Sequence, residues 1–400
     1  MQELFQKSDR LITNISTKIQ RTIPASINWD WRLNALFGAR GTGKTTLLLQ
    51  RAKYLKSQNK EVLYVSLDDL YFTENRLLDL VDGFQRMGGN YLFVDEVHKY
   101  PGWARELKNI YDNFPDLIVT FSGSSILEIF KQEVDLSRRA LRYELPGLSF
   151  REYLAFTDTI TLEPISFEDL IHRHRQIAAM ITSQIKPIPY FKQYLQSGYY
   201  PFFMEQERDY TLTLSQIIQL IVESDLRTME GFDTAYSRKI LQLLRIIAGT
   251  APFKPNISKL SERIGITRKT LLQYLHYLHK ARLTSALHLP EKHIGVLQKP
   301  DKLFLQNPNL YYAIHPTEVE VGSVRETFFQ NQMSVSFEVH LHKKADFSIS
   351  HQGQEYIFEV GGRNKKSTQI NDLENAYLAL DDTETGYGNR IPLWLFGLLY

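Results

Sequence analysis

The chain of 400 residues contains no cysteine. Disulfides and thiolate metal sites are therefore excluded, and the absence fits a cytoplasmic protein. Long apolar runs are missing too, so neither a membrane-spanning helix nor a membrane partner is expected. The start, MQELFQKSDRLITNIS, has neither the basic region nor the apolar region of a secretory signal. Net charge is nearly absent as well, 47 Lys and Arg standing against 45 Asp and Glu for +2 at pH 7. That balance conceals a basic block. Between Lys254 and Lys302 ten basic residues face three acidic ones, +7 locally, which leaves about −5 for the remainder. Such a block suits a polyanion-facing surface, and a solvated face equally. With 43% hydrophobic and 23% charged residues the composition is that of a globular protein, and the length implies two to three domains.

What is present begins at residues 33–50, LNALFGARGTGKTTLLLQ. Gly38, Gly41, Gly43, Lys44 and Thr45 fit the phosphate-binding pattern G-x-x-x-x-G-K-[ST] without a mismatch. Glycines let successive backbone N–H groups turn inward around phosphate oxygens. Lys44 is placed for the β- and γ-phosphates, and Thr45 offers a hydroxyl to Mg²⁺. The apolar run before the loop reads as a buried strand, and 46–55 as the helix leaving it, with the anion on its N-terminus. The nucleotide-binding set is thus Gly38, Ala39, Arg40, Gly41, Thr42, Gly43, Lys44, Thr45 and Thr46, with ATP and Mg²⁺ as ligands.

Residues 61–67, EVLYVSL, read as a strand followed by Asp68 and Asp69, which either approach the ligand crevice or cap a helix. The strand YLFV, 91–94, runs straight into Asp95 and Glu96. Asp95 is the candidate for the metal's water shell, and Glu96 for the general base that orients the attacking water. A further strand, 117–121, ends in Ser122-Gly123-Ser124-Ser125. There a hydroxyl, with Ser124 as the candidate, senses the γ-phosphate or caps a helix over 126–130. Arg138, Arg139 and Arg142 follow. Arg139 is the candidate arginine finger, in its own chain or a neighbour's; the other reading is a surface arginine.

The segments GARGTGKT, YLFVDEVHKYPGWARELKNIYD, VTFSGSSILEI and ELPGLSFREYL resemble the AAA-type ATP-binding proteins of bacteria and archaea. In these an ATPase core is joined to a C-terminal region ending in a restriction-endonuclease-like domain. The resemblance runs from about residue 30 to the C-terminus. It implies a sensor segment at 122–125 and an arginine segment at 137–139. FEVGGRNKK and IPLWLFGLLY resemble a branch found in Bacteroidetes-like bacteria.

Helices are expected over 167–184, 190–196 and 214–227, the last with Ile217, Ile218, Leu220 and Ile221 inward. Residues 257–280 read as helix–turn–helix. Ser258 and Thr267 are the expected caps, Gly265 the turn, and Leu271, Leu275 and Leu278 the core face of the second helix. Arg268, Lys269, Thr270, Gln273 and Tyr274 would then lie outward as the DNA-contacting set, and 282–305 would supply a wing of two strands.

At the C-terminal end, a helix over 321–332 carries Glu326, and 345–349 and 356–360 read as a hairpin turning at Gln352-Gly353-Gln354. Asp346 and Glu359 are thereby brought together as a possible vestigial metal site of a nuclease. The lysine that the endonuclease-like pattern places two residues beyond the glutamate is missing, because Gly361 stands there. Lys365 or Lys366 would have to swing back across two glycines, and cleavage is expected to be weak or absent. The last ten residues are expected to form a buried strand.

The expected fold class is α/β: an N-terminal P-loop NTPase with a parallel sheet (1–156), a helical region (157–235), a winged helix-turn-helix (236–305) and a nuclease-like α/β domain (306–400). The expected function is Mg²⁺-dependent ATP hydrolysis driving a conformational change coupled to double-stranded DNA. The alternatives are a nucleotide-dependent switch acting on a protein partner or on a second copy, and an ATP-gated metal-dependent nuclease.

Overall fold

The computed structural model describes residues 1–22, 26–123, 136, 138–205, 208–228, 232, 234–250, 254–289 and 299–400. They form two compact units, Met1–Pro146 and Gly147–Tyr400.

The first unit is built on five parallel strands: β1 (Leu33–Phe37), β2 (Val62–Ser66), β3 (Tyr91–Asp95), β4 (Ile118–Ser122) and β5 (Leu141–Glu144), in spatial order β2-β3-β4-β1-β5. The short, mostly aliphatic and aromatic sequences of β1–β4 suit strands buried on both faces, while the edge strand β5 alternates half-buried and exposed residues. Strand alternation then sorts the core into two layers. Ala35, Leu63, Val65, Val94 and Phe121 face α3 (Leu77–Arg86) and α4 (Trp103–Asn113). Leu36, Val62, Tyr64 and Phe93 face α1 (Gln2–Asn14) and α2 (Lys44–Ser57). Parallel strands put all five carboxyl ends on one edge, which is where ligands bind in such sheets. Asp69 takes the capping role, accepting from Tyr71 N at 3.0 Å, and also pairs with Lys7. The expected helix at 126–130, together with Ser124, Ser125 and Ser137, lies outside the described residues.

The second unit begins with helices α5 (Phe150–Phe156), α6 (Phe167–Thr182), α7 (Pro187–Ser197) and α8 (Tyr210–Glu223). In α8 the inward residues are Leu214, Ile218, Ile221 and Val222, whereas Leu220 is 44% exposed. At 100° per residue, position 220 falls off the face that 214, 218 and 221 share, so the expectation for Leu220 is corrected. Next come α9 (Ser237–Ala248), α10 (Ile257–Ile264) and α11 (Arg268–Lys280). The cap of α10 is Asn256, which accepts from Lys259 N at 3.1 Å, rather than Ser258. Gly265 makes the turn at φ 70°, and Thr267 caps α11 by accepting from Thr270 N at 3.1 Å. Strands β6 (Thr284–Leu287) and β7 (Lys302–Leu305) pair antiparallel.

The unit closes on α12 (Pro308–Ile314), α13 (Val321–Met333) and a mixed five-stranded sheet. Its strands are β8 (Val339–Leu341), β9 (Phe347–His351), β10 (Gln354–Gly361), β11 (Ala376–Leu380) and β12 (Arg390–Pro392). β8, β9 and β10 are antiparallel neighbours, while β10, β11 and β12 run parallel. The β9–β10 turn is the two residues Gln352-Gly353, both at positive φ (50° and 79°), which matches the twist of the flanking strands. Phe329 of α13 stacks on Phe347 at 5.1 Å and contacts Phe396 at 4.9 Å, seating the helix on the sheet. The final residues are buried as expected. Beyond the short β12, however, Leu393–Leu398 form a 3₁₀ helix rather than a strand.

Candidate active site

The loop between β1 and α2 has Gly38, Gly41 and Gly43 all at positive φ (152°, 86° and 91°). At Gly38 a Cβ would stand 2.4 Å from the carbonyl oxygen of Leu145, so only glycine fits this cradle. Lys44, 5% exposed, folds back over the loop and donates to the Gly38 and Ala39 carbonyls at 2.9 and 2.8 Å. Arg21 braces the loop from outside, donating to Thr42 O at 3.2 Å and Pro146 O at 3.1 Å.

Asp95 ends β3 and is 2% exposed. Because β4 lies between β3 and β1, the tip of β4 sits beside it, and Ser122 Oγ donates to Asp95 Oδ1. Thr45 Oγ1 donates to Asp95 Oδ2 at 2.6 Å, and Tyr64 OH to the same oxygen at 2.9 Å. Burial and the Asp95 charge push the Tyr64 phenol well above its ordinary pKa, so it stays a donor. The carboxylate is thus oriented among hydroxyls, next to the loop. Glu96 follows at φ 52°, ψ 38°, and its N–H returns to Asp95 Oδ1 at 3.0 Å. His98 Nε2 lies 3.4 Å from Glu96 Oε2. Burial and the positive charges of Lys99, Arg40 and Lys44 push the His98 pKa down to about 3, which makes the ring neutral.

This donor set fits a nucleotide with Mg²⁺. The cradle admits no Cβ, and Thr45 and Asp95 offer hard oxygens. Among the described residues no group of three or more His, Cys, Asp and Glu is arranged to hold a metal ion, so phosphate oxygens would have to complete any Mg²⁺ shell. Tyr64, Arg21 and His98 were not singled out by sequence reasoning. Signals for two of them existed: a phenol inside an aliphatic strand, and a histidine two residues beyond the candidate base.

Arg139 is placed elsewhere. It precedes β5 and so lies at the amino edge of the sheet, where Nε and Nη2 hold Asp112 at 3.0 and 3.2 Å. A five-residue strand, about 16 Å long, separates the two edges. Arg139 therefore does not reach a phosphate held by its own loop, and the same-chain finger is corrected.

In the second unit Arg268 and Lys269 are exposed at the start of α11 and Thr270 is half-buried. Tyr274 is 1% exposed, packed against Phe232 and Tyr236, and Gln273 donates to Tyr277 OH at 2.5 Å. Tyr274 is thus corrected from a DNA-facing residue to a core one. The face of α11 that carries Leu271, Leu275 and Leu278 is wide enough to take in position 274.

Asp346 and Glu359 do meet. Asp346 N donates to Glu359 Oε2 at 3.1 Å, and Val360 N to Asp346 Oδ2 at 3.0 Å. Two lysines reach them. Lys365 Nζ lies 2.5 Å from Glu359 Oε1, and Lys302 pairs with Glu326 and stands 3.5 Å from Asp346. A Cβ on Gly361 would come within 2.7 Å of Lys365 Cγ, so the glycine at the position expected for lysine is what lets Lys365 fold back. Burial, and next the Asp346 charge, raise the pKa of Glu326 and of Glu359. The cluster borders a 460 Å³ cavity lined by Lys254, His342, Lys343 and Lys344.

Residues 30–154 match the family model of an AAA domain, and residues 188–319 that of a domain of unknown function (DUF8612). An uncharacterised protein of Methanocaldococcus jannaschii is 28% identical over 365 residues, which cover 84% of this chain and 76% of that protein. An uncharacterised protein of Haemophilus influenzae is 24% identical over 269 residues, 63% of this chain and 61% of that one. Among solved structures, the Walker-type ATPase of Pyrococcus abyssi is 12% identical, covering 78% of this chain and 96% of its own, with a TM-score of 0.40. No helix among the described residues is long and apolar enough to cross a membrane. The phosphate loop, the buried Asp95 and the parallel sheet that brings them together all fall within residues 30–154, the stretch that matches the AAA domain model.

Proposed function

We propose that this chain hydrolyses ATP with Mg²⁺ at the β1–α2 loop and couples turnover to binding of double-stranded DNA. The observation that carries the reading is the 2.6 Å contact between Thr45 Oγ1 and Asp95 Oδ2, with Glu96 one residue beyond. Lys44 would reach the β- and γ-phosphates from the loop, and Thr45 and Asp95 would hold the metal and its water. Bound there, Mg²⁺ neutralises phosphate charge. Glu96 orients the attacking water and accepts its proton on a carboxylate oxygen. Arg268 and Lys269 at the exposed start of α11, ahead of the two-stranded β6–β7 sheet, support a winged-helix contact with DNA phosphates.

The test is steady-state ATP hydrolysis with and without duplex DNA, on wild type and Glu96→Gln. Stimulation by DNA that disappears in the variant supports the coupling. Hydrolysis indifferent to DNA moves the assignment to a nucleotide-dependent switch on a protein partner or a second copy. A second reading, a metal-dependent nuclease in an endonuclease-like C-terminal domain, draws support from Lys365 at Glu359. A metal there would have to compete with Lys302 for Asp346 or take substrate oxygens. Cutting of duplex DNA with Mg²⁺ or Mn²⁺ that Asp346→Ala abolishes would establish it.

A further inference from the structure

We propose that His98 is a positioning residue for the Glu96 carboxylate, a donor that aims the base at the attacking water; this rests on the ATPase reading above. Glu96 stands where β3 ends, in the left-handed region that non-glycine residues rarely enter. Its left-handed kink opens the 3₁₀ turn Val97–Lys99, closed by Lys99 N donating to Glu96 O at 2.9 Å and Tyr100 N to Val97 O at 3.1 Å. Val97 between them is fully buried and anchors the turn in the α3–α4 core layer. The side chains of residues 96 and 98 thereby meet, His98 Nε2 lying 3.4 Å from Glu96 Oε2.

Glu96 is then held at two points. Its backbone N–H is fixed to Asp95 Oδ1, and its carboxylate faces the imidazole. The His98 side chain is 4% exposed and the Glu96 side chain 21%, so the base reaches solvent while its partner does not. That is the arrangement of a base oriented by a third group. The neutrality of the ring matters. A second proton on His98 would bind the carboxylate as an ion pair and weaken it as a base, and Arg40, Lys44 and Lys99 around the ring oppose that proton. A neutral Nε2–H orients Glu96 while weakening it as a base less than an imidazolium would.

The experiment compares His98→Phe, which fills the buried space without a donor, with His98→Gln, whose amide nitrogen replaces Nε2. Steady-state ATP hydrolysis gives kcat and KM, and titration with a fluorescent ATP analogue gives nucleotide affinity. The expected result for His98→Phe is a fall in kcat of about tenfold to a hundredfold, with KM and nucleotide affinity within about twofold of wild type. His98→Gln should recover kcat to within about threefold, and Glu96→Gln/His98→Phe should be no slower than Glu96→Gln alone. Equal loss in both His98 variants, nucleotide affinity falling in step with kcat, additive losses in the double variant, or full activity of His98→Phe would each overturn the proposal. Those results presuppose wild-type turnover that Glu96→Gln lowers sharply but leaves measurable. Its absence would overturn the ATPase reading and the proposal with it.

Discussion

Lys302→Met removes one ammonium from between two carboxylates, and its cost follows from the surroundings. The Lys302, Glu326 and Asp346 side chains are 7%, 16% and 17% exposed, so solvent screens the pairs poorly. Methionine preserves the length and apolar body of lysine, which limits any cavity. What remains is a buried Glu326 and Asp346 facing one another without their shared cation. Breaking a buried pair in this way costs about 3–5 kcal/mol, a large share of an ordinary folding free energy. The sign of the pH dependence is set by Glu326. Its folded pKa is already raised, by burial first and then by Asp346, so in the folded state it keeps its proton to higher pH than in the unfolded chain. Stability from such a group is full below the ordinary glutamate value and falls as pH rises through the folded pKa. Removing Lys302 raises that pKa further and steepens the fall. The deficit of Lys302→Met should thus be about 3–5 kcal/mol at pH 8 and smaller at pH 5 by up to about 1.4 kcal/mol, since the two proteins differ in Glu326 protonation only above the wild-type pKa. Hydrogen exchange of peptides covering β8–β10 during urea titration reads the second unit alone. Lys302→Met/Glu326→Gln should recover most of the loss at pH 8. A deficit under about 1 kcal/mol at pH 8, or one indifferent to pH, would refute the charge argument.

Tyr64→Phe keeps the ring in its core layer and deletes one donor to the buried Asp95, so thermal unfolding of the first unit should drop by about 1.5–3 kcal/mol, or about 3–10 °C. Gly38→Ala sets a methyl 2.4 Å from a backbone carbonyl, and titration with a fluorescent ATP analogue should show affinity falling at least about tenfold. His98, neutral with a pKa of about 3, binds fewer protons folded than unfolded between that value and the ordinary histidine range. Stability of the first unit should therefore be lost as pH falls through that window, by up to about 1.4 kcal/mol per pH unit, and His98→Phe should remove that slope in denaturant titrations. Arg268→Glu/Lys269→Glu should weaken retention on duplex DNA and flatten its dependence on salt, as read by fluorescence anisotropy.

The nucleotide site was legible because its chemistry is local. Residues 38–45 carry the glycines, lysine and hydroxyl in one loop, and the acidic pair follows one apolar strand directly, so contiguous residue types determine what the site binds. The hairpin that joins Asp346 to Glu359 was legible for the same reason, its turn being only two residues long. What tertiary structure alone decided is which distant residues arrive at those points. Strand order places Ser122 and Tyr64 on Asp95 and leaves Arg139 at the opposite edge of the sheet. Packing turned Tyr274 inward, since an amphipathic stripe fixes the centre of a buried face but not its width. Of the lysines at Glu359 and Asp346, Lys365 is one of the two that the sequence offered in place of residue 361, and folding selected it, whereas Lys302 lies 44 residues before Asp346, where no spacing rule points. An ammonium on a long, flexible stem is recruited by the field of buried carboxylates once the chain has folded, and that field is a property of distances in space rather than of separation along the chain.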